Sequence, residues 1–296
     1  MIKRNHIRDN VFNDPGRVAE LKEEDIAEIL KEVQPIFHGE NALLDLEGTV
    51  AFVGDLHGDF PMAQAIVKQF LSSDHLVFLG DYIDREPVQG GSLLTLTYLL
   101  ALKSFYPKKI IMLKGNHESN YLIPCFPYEF EEEIVHRFGS GALHEQFVEV
   151  FAEMPLMVLS HRIFAAHGGI VKGASLQTLR VIEKNDVAAV TSLVWSDPAL
   201  SSTYRGVGEK FNESELQQFL DGISAKVFVR GHDYTTLGCS NYGDRCLTLF
   251  SSSQYREEGN GGILVACTEK DIDRASDLVV EDYSQGQWRR YHIRRL

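Results

Sequence analysis

Five short β-type hydrophobic runs in this chain each stop at a metal-binding side chain. Thr49-Val50-Ala51-Phe52-Val53 runs into Gly54-Asp55-Leu56-His57-Gly58, and His75-Leu76-Val77-Phe78-Leu79 into Gly80-Asp81-Tyr82-Ile83-Asp84-Arg85. Lys109 to Lys114 leads into Gly115-Asn116-His117-Glu118. Arg162 to Ala166 ends at His167-Gly168-Gly169, and Lys226 to Val229 ends at Arg230-Gly231-His232. Buried strands that deliver Asp, His or Asn at their carboxyl ends place a site on a rigid sheet edge. Glycine beside each ligand lets the backbone turn sharply and leaves room for an ion and its substrate. Taken singly, a Gly-Asp pair after a strand is an ordinary turn signal. Five repeats of one grammar imply a dinuclear metal hydrolase.

The donors are oxygen and imidazole with no thiolate, which suits manganese, iron or zinc better than a structural Cys-type zinc site. Asp55 and His57 alternate along an extended segment toward a common ion. Asp81 has two carboxylate oxygens to bridge two ions, and Asn116, His167 and His232 complete a second site. Two such ions activate a bridging hydroxide and stabilise phosphoryl charge. The four cysteines, Cys125, Cys239, Cys246 and Cys267, form no Cys-x-x-Cys pair and read as small buried hydrophobes.

A net charge of −13 speaks against a nucleic-acid partner, which needs clustered Lys and Arg. Arg289-Arg290 and Arg294-Arg295, the basic cluster, read as a solvated strand or tail. No apolar run reaches membrane-spanning length, and Met1 to His6 lacks the apolar core of a secretory signal. The expectation is a cytoplasmic protein without a membrane partner.

No low-complexity linker or repeat interrupts the 296 residues, so one domain spanning 1–296 is expected. Its motif-bearing core covers about 45–265, and a helical element about 15–37 precedes it. Periodicity predicts helices over Pro15 to Val33, Phe60 to Leu71 (Asp59 as N-cap, Pro61 in the first turn), Gly91 to Ser104, Tyr128 to Phe138 and Gly141 to Ala152. Glu129, Glu131, Glu132 and Glu133 read as a wet helix face. The opening third is β-α-β-α-β with parallel neighbours. Thr248 to Phe250, Gly262 to Cys267, Asp277 to Tyr283 and Trp288 to Ile293 have β character. Two facing sheets with helices outside fit this order, and so does a single mixed sheet.

The three glycine-flanked motifs resemble the signature motifs of the phosphoprotein phosphatase family, the dinuclear-metal Ser/Thr phosphatases that include the type 1 and type 2A enzymes. The likeness continues through His167-Gly168-Gly169, Trp195-Ser196-Asp197-Pro198, Tyr204-Arg205-Gly206-Val207, Arg230-Gly231-His232 and Phe250 to Tyr255, covering roughly residues 15–265. It implies an α/β fold, the four-layer α-β-β-α sandwich of calcineurin-like metallophosphoesterases, with two mixed sheets flanked by helices. It further implies two divalent ions, manganese in vitro with iron or zinc as alternatives, and phosphoprotein or phosphopeptide substrates. By motif, Asp55, His57 and Asp81 hold the first ion and Asp81, Asn116, His167 and His232 the second. Arg85, Arg205, Asn116 and Tyr255 bind substrate, and His117, oriented by Asp84, is the general acid in direct attack by a metal-bridging hydroxide.

Two residues and one loop depart from the family pattern. Glu86 stands where glycine is usual, and Lys114 where arginine precedes Gly-Asn-His-Glu. Ser252-Ser253-Gln254-Tyr255-Arg256 replaces an Ala-Pro-Asn-Tyr-Cys loop, which weighs against the toxin sensitivity of that loop. No motif marks a dock for regulatory subunits. The competing readings are a dinucleoside tetraphosphate hydrolase or a phosphotyrosine or dual-specificity phosphatase on the same core, and an inactive phosphoprotein-binding scaffold. The scaffold predicts lost ligands, yet all six candidate ligands are present.

Overall fold

Side-chain alternation along the strands separates the interior into three cores. The computed structural model describes Val11, residues 13–256 and residues 263–296, so Met1 to His6 and Gly262 lie outside the described residues. In β2 (Val50–Val53), Val50 and Phe52 enter one core while Ala51 and Val53 enter another. The same split divides Val77 and Leu79 from Leu76 and Phe78 around β3 (His75–Phe78). It divides Ile111 and Leu113 from Ile110 and Met112 around β4 (Ile110–Met112). A strand buried on both faces needs apolar residues at every position, which is why these runs lack polar alternation.

The first sheet has the order β14 (Gln287–Arg290), β13 (Val279–Ser284), β12 (Ile263–Thr268), β2, β3, β4. Strands β2, β3 and β4 run parallel, and β12 is antiparallel to β2. The second has the order β1 (Leu43–Asp45), β5 (Met157–Ser160), β6 (Ile163–Ala166), β9 (Val227–Arg230), β11 (Cys246–Thr248), β10 (Cys239–Asn241), β15 (Arg294–Arg295). Its strands β6, β9 and β11 are parallel neighbours, and a separate parallel pair joins β7 (Asp197–Pro198) to β8 (Lys210–Phe211). Ile163, Ala165, Val227 and Val229 of this sheet meet Val50, Phe52, Val77 and Leu79 of the first, so the sheets face each other.

Helices cover both outer faces. Ala51, Val53, Leu76 and Phe78 share a core with α1 (Glu23–His38), α2 (Phe60–Phe70), α3 (Gly91–Phe105), α4 (Phe130–Phe138) and α5 (Ala142–Glu153). Phe164, Ala166 and Phe228 pack with α6 (Leu176–Arg180), α7 (Val187–Trp195) and α8 (Glu213–Gly222). The architecture is the four-layer sandwich, and the single mixed sheet is set aside. Phe52 is fully buried between the sheets. Phe52→Ala is expected to destabilise the fold by about 3–5 kcal/mol, because the space it leaves cannot collapse. Chemical denaturation at constant m-value measures this.

Several boundaries move for local reasons. The predicted first helix divides into a 3-10 turn, Pro15–Glu20, and α1, which runs on to His38. Leu21 is extended, and the Lys22 N–H donates to Asp25, which restarts the helix there. The helix expected from Tyr128 begins at Phe130, where Asp84 draws off the first two N–H groups. Glu129, Glu131 and Glu132 are exposed as expected, but Glu133 turns inward and accepts the Leu93 N–H at 3.0 Å. Among the described residues no helix is long and apolar enough to cross a membrane.

Candidate metal centre and active site

Every motif-bearing loop leaves the carboxyl end of a parallel strand, so the two sheets deliver their polar residues to one edge. An isolated bridge, Asp55 to Phe250, joins the sheets there. Asp55, His57, Asp81, Asn116, His167 and His232 are all buried. His57, Asp81, Asp84, Arg85 and His232 have positive φ, the left-handed conformation that non-glycine residues rarely adopt. Five such residues in one site indicate a backbone bent to aim its side chains. The flanking glycines admit the carboxylates: a Cβ on Gly115 would sit 2.2 Å from Asp81 Oδ1, and one on Gly231 2.2 Å from Asp55 Oδ1.

The six candidate ligands converge. His167 Nδ1 lies 3.1 Å from the Leu79 carbonyl and His57 Nδ1 3.0 Å from the Ile83 carbonyl. Donating there, each ring turns its Nε2 into the site. His167 Nε2 then meets Asn116 Oδ1 at 3.0 Å, His232 Nδ1 at 3.1 Å and Asp81 Oδ2 at 3.4 Å. His57 Nε2 lies 3.7 Å from the same Asp81 oxygen and 3.9 Å from Asp55 Oδ2. Asp55 is anchored by the His232 N–H, 2.9 Å from Oδ1. Acceptor atoms aimed at one another with few protons between them are a donor set that could hold a cation.

Burial, with Asp81 adding to it, pushes the Asp55 carboxyl up to about 6 against the pull of His167. Burial also raises Asp81, but His167, His117 and His57 outweigh it and hold that carboxyl well below its ordinary value. Burial drives His57 down to about 3 and His232 well below the usual imidazole range. His57 and His232 are thus in the unprotonated state that metal ligands require. Burial lowers His167 too, but Asp81 and Asp55 outweigh it and raise that ring above its ordinary value, so an ion bound there displaces a proton from it.

His117 stands apart in chemistry. Its Nδ1 lies 2.5 Å from Asp84 Oδ2, and Asp84 Oδ1 accepts the Glu129 and Phe130 N–H groups at 2.7 and 2.9 Å. Burial lowers the ring's pKa, yet Asp81 and the Asp84 bond raise it well above the ordinary value. Its Nε2, 4.0 Å from Asp81 Oδ2, is buried without a hydrogen-bond partner.

Arg85 hydrogen-bonds Tyr255, whose ring centroid lies 5.8 Å from that of His57. Beside Arg85 opens a groove of about 980 Å³, lined also by Glu86, Glu129, Glu132 and Glu133. Arg205 is less free than its motif implied. Its Nε pairs with Asp197 at 2.7 Å and its Nη2 donates to the His232 carbonyl at 2.8 Å, leaving Nη1. Lys114 is fully buried, donating to Tyr121 Oη, the Lys184 carbonyl and Asn185 Oδ1.

Sequence reasoning missed three supports. Glu118 accepts N–H bonds from Asp81 (2.8 Å), Tyr82 (2.8 Å) and Gly115 (2.9 Å), tying two ligand loops together. Asp197 bridges Arg205 and Arg230, each at 2.7 Å. Cys125 Sγ lies 3.7 Å from His117 Nδ1. Glu118 and Asp197 sat inside quoted motifs, but nothing in their spacing told partner from ligand. Glu118→Ala strands three buried N–H groups and is expected to cost about 3 kcal/mol or more of stability, readable by urea unfolding.

The sequence profile of the calcineurin-like phosphoesterases matches residues 48–235, more than half of the chain. The chain belongs to that family. A serine/threonine-protein phosphatase of Caenorhabditis elegans is 30% identical over 255 residues. The match takes in 81% of this chain and 55% of the relative, so the chain spans about half of that protein's length. A Saccharomyces cerevisiae protein serine/threonine phosphatase, with similarity to human phosphatase PP5, superposes with a TM-score of 0.77 at 22% identity. It covers 89% of this chain and 90% of its own. A cold-active protein-tyrosine phosphatase of a Shewanella species superposes with a TM-score of 0.64 at 15% identity, over 86% and 84% of the two chains. At such identities both structures bear on the fold alone.

Proposed function

We propose that this calcineurin-like phosphoesterase is a metal-dependent protein serine/threonine phosphatase of the phosphoprotein phosphatase branch, with residues 1–296 acting as one catalytic unit. The observation that supports it most is the meeting of Asp81 Oδ2, Asn116 Oδ1 and His232 Nδ1 around His167 Nε2, within 3.4 Å of it. One or two protons cannot satisfy so many buried acceptors, and the donor set fits divalent ions that favour oxygen and imidazole, manganese among them. Asp55, His57 and Asp81 are assigned to one ion, and Asp81, Asn116, His167 and His232 to the other. When bound, the pair supplies a nucleophilic water at neutral pH and neutralises phosphoryl charge. The name of the nematode relative supports a phosphoserine or phosphothreonine substrate.

The protein's own groups do the rest. Arg85, steadied by Tyr255, and the Nη1 of Arg205 grip phosphate oxygens, and Asn116 adds its amide N–H. His117, protonated and held on Asp84, gives the Nε2 proton to the departing alkoxide. Release of an alkoxide into a buried site is costly without that proton, so the acid matters most for serine and threonine esters.

Metal-stripped protein should be inactive and regain turnover with manganese. On phosphopeptides, kcat/KM for phosphoserine or phosphothreonine should exceed that for phosphotyrosine, and for a dinucleoside polyphosphate, by at least about tenfold. Metal-free protein as fast as loaded protein would remove the reading.

A further inference from the structure

We propose that Glu86 is a positioning residue that, through the Ser92 hydroxyl, fixes the backbone of Asp84 and hence the aim of His117. The inference rests on the acid role assigned to His117. Asp84 and Arg85 are consecutive non-glycine residues with φ of 62° and 55°, so the turn needs outside support. That support is a short chain of bonds. The Asp84 N–H donates to Ser92 Oγ at 2.9 Å, and the Ser92 hydroxyl donates to Glu86 Oε2 at 2.8 Å.

Ser92 is fully buried, so water does not supply the missing partner. A serine oxygen accepts well from a backbone N–H only while its own proton points elsewhere. Glu86 gives that proton a destination and so locks the hydroxyl in its accepting orientation. The neighbourhood is built around this side chain. A Cβ on Gly58 would approach the Glu86 Cβ to 2.4 Å, and one on Gly91 to 3.1 Å, so both positions lack side chains where Glu86 packs. Glu133 is a second acceptor within reach of the Ser92 hydroxyl, its Oε1 taking the Leu93 N–H and its Oε2 buried without a partner, but the hydroxyl donates to Glu86.

The consequence runs through Asp84. Its carboxylate receives Glu129, Phe130 and His117, so a shift of the Asp84 backbone is passed directly to the imidazole. Proton donation depends steeply on donor geometry, whereas phosphate binding by Arg85 and metal ligation by Asp81 are held by other contacts.

The test uses the metal-loaded full chain and two substrates, a phosphothreonine peptide and an aryl phosphate whose phenolate leaves without a proton. Glu86→Ala should lower kcat on the peptide about tenfold with KM within about twofold, and affect the aryl phosphate far less. Glu86→Gln keeps an acceptor oxygen and should recover most of the loss. Ser92→Ala should match Glu86→Ala, and the double variant should add nothing, as for two links of one chain. Equal losses on both substrates, a change confined to KM, or additive losses in the double variant would overturn the proposal. So would an active wild type with Glu86→Ala unaffected, and that result would leave the phosphatase reading standing. A loaded wild type inert toward both substrates would overturn the two together.

Discussion

Asp81→Asn is expected to lower kcat/KM on a phosphothreonine peptide by about 10³-fold or more, since losing several kcal/mol of charge stabilisation has that effect. One oxygen, Asp81 Oδ2, stands 3.4 Å from His167 Nε2 and 3.7 Å from His57 Nε2, so both assigned ion sites depend on it. The amide keeps the size of the side chain and an Oδ1 acceptor for the His117 N–H, 3.1 Å away. What it loses is charge. The metal-free variant should melt somewhat below metal-free wild type, since His167, His117 and His57 favour the ionised Asp81 carboxylate in the folded state and the amide gives up that attraction, so each protein is compared with its own metal-free form. Adding manganese should separate them. Wild type gains about 2.7 kcal/mol at a hundredfold excess over its Kd, and the variant should gain little. Retained activity together with a retained melting shift would exclude Asp81 from the metal site.

His117→Asn should reduce turnover of phosphoserine and phosphothreonine esters by about 10²–10⁴-fold, the usual scale of general acid catalysis. Aryl phosphates should lose far less. Asp84→Asn should imitate it, because an amide offers N–H where Oδ2 now accepts from Nδ1, and the ring then loses the bond that orients it. Steady-state kinetics over a series of leaving groups measures both. A uniform loss across the series would argue for a phosphate-binding role instead of proton donation.

The six ligand candidates were legible because their signal is local, whereas the Asp84–His117 pair was carried by the family resemblance. A buried strand, a glycine and a donor lie next to one another in sequence, and a sheet edge brings such segments together. The two-sheet architecture was only half legible. Phe52 and Val53 are both apolar, and nothing in the run says that one faces the second sheet and the other the helices. Helices α6 to α8 escaped notice; Val187–Trp195 is apolar on nearly every side and Leu176–Arg180 has barely one turn. The supports were the least visible. Glu118 acts by accepting backbone N–H groups from two loops, and Arg205 is held by Asp197 and the His232 carbonyl, pairings that exist only after the chain has folded. Glu133 looked like its solvated neighbours, yet it turns inward to the start of α3.

The most direct test is anomalous diffraction from crystals grown with manganese. The account predicts two peaks per chain about 3.5–4 Å apart, sharing Asp81, one with Asp55 and His57 and the other with Asn116, His167 and His232. A single ion bound elsewhere, or Asp55, Asp81 and His232 directed to separate places, would contradict it.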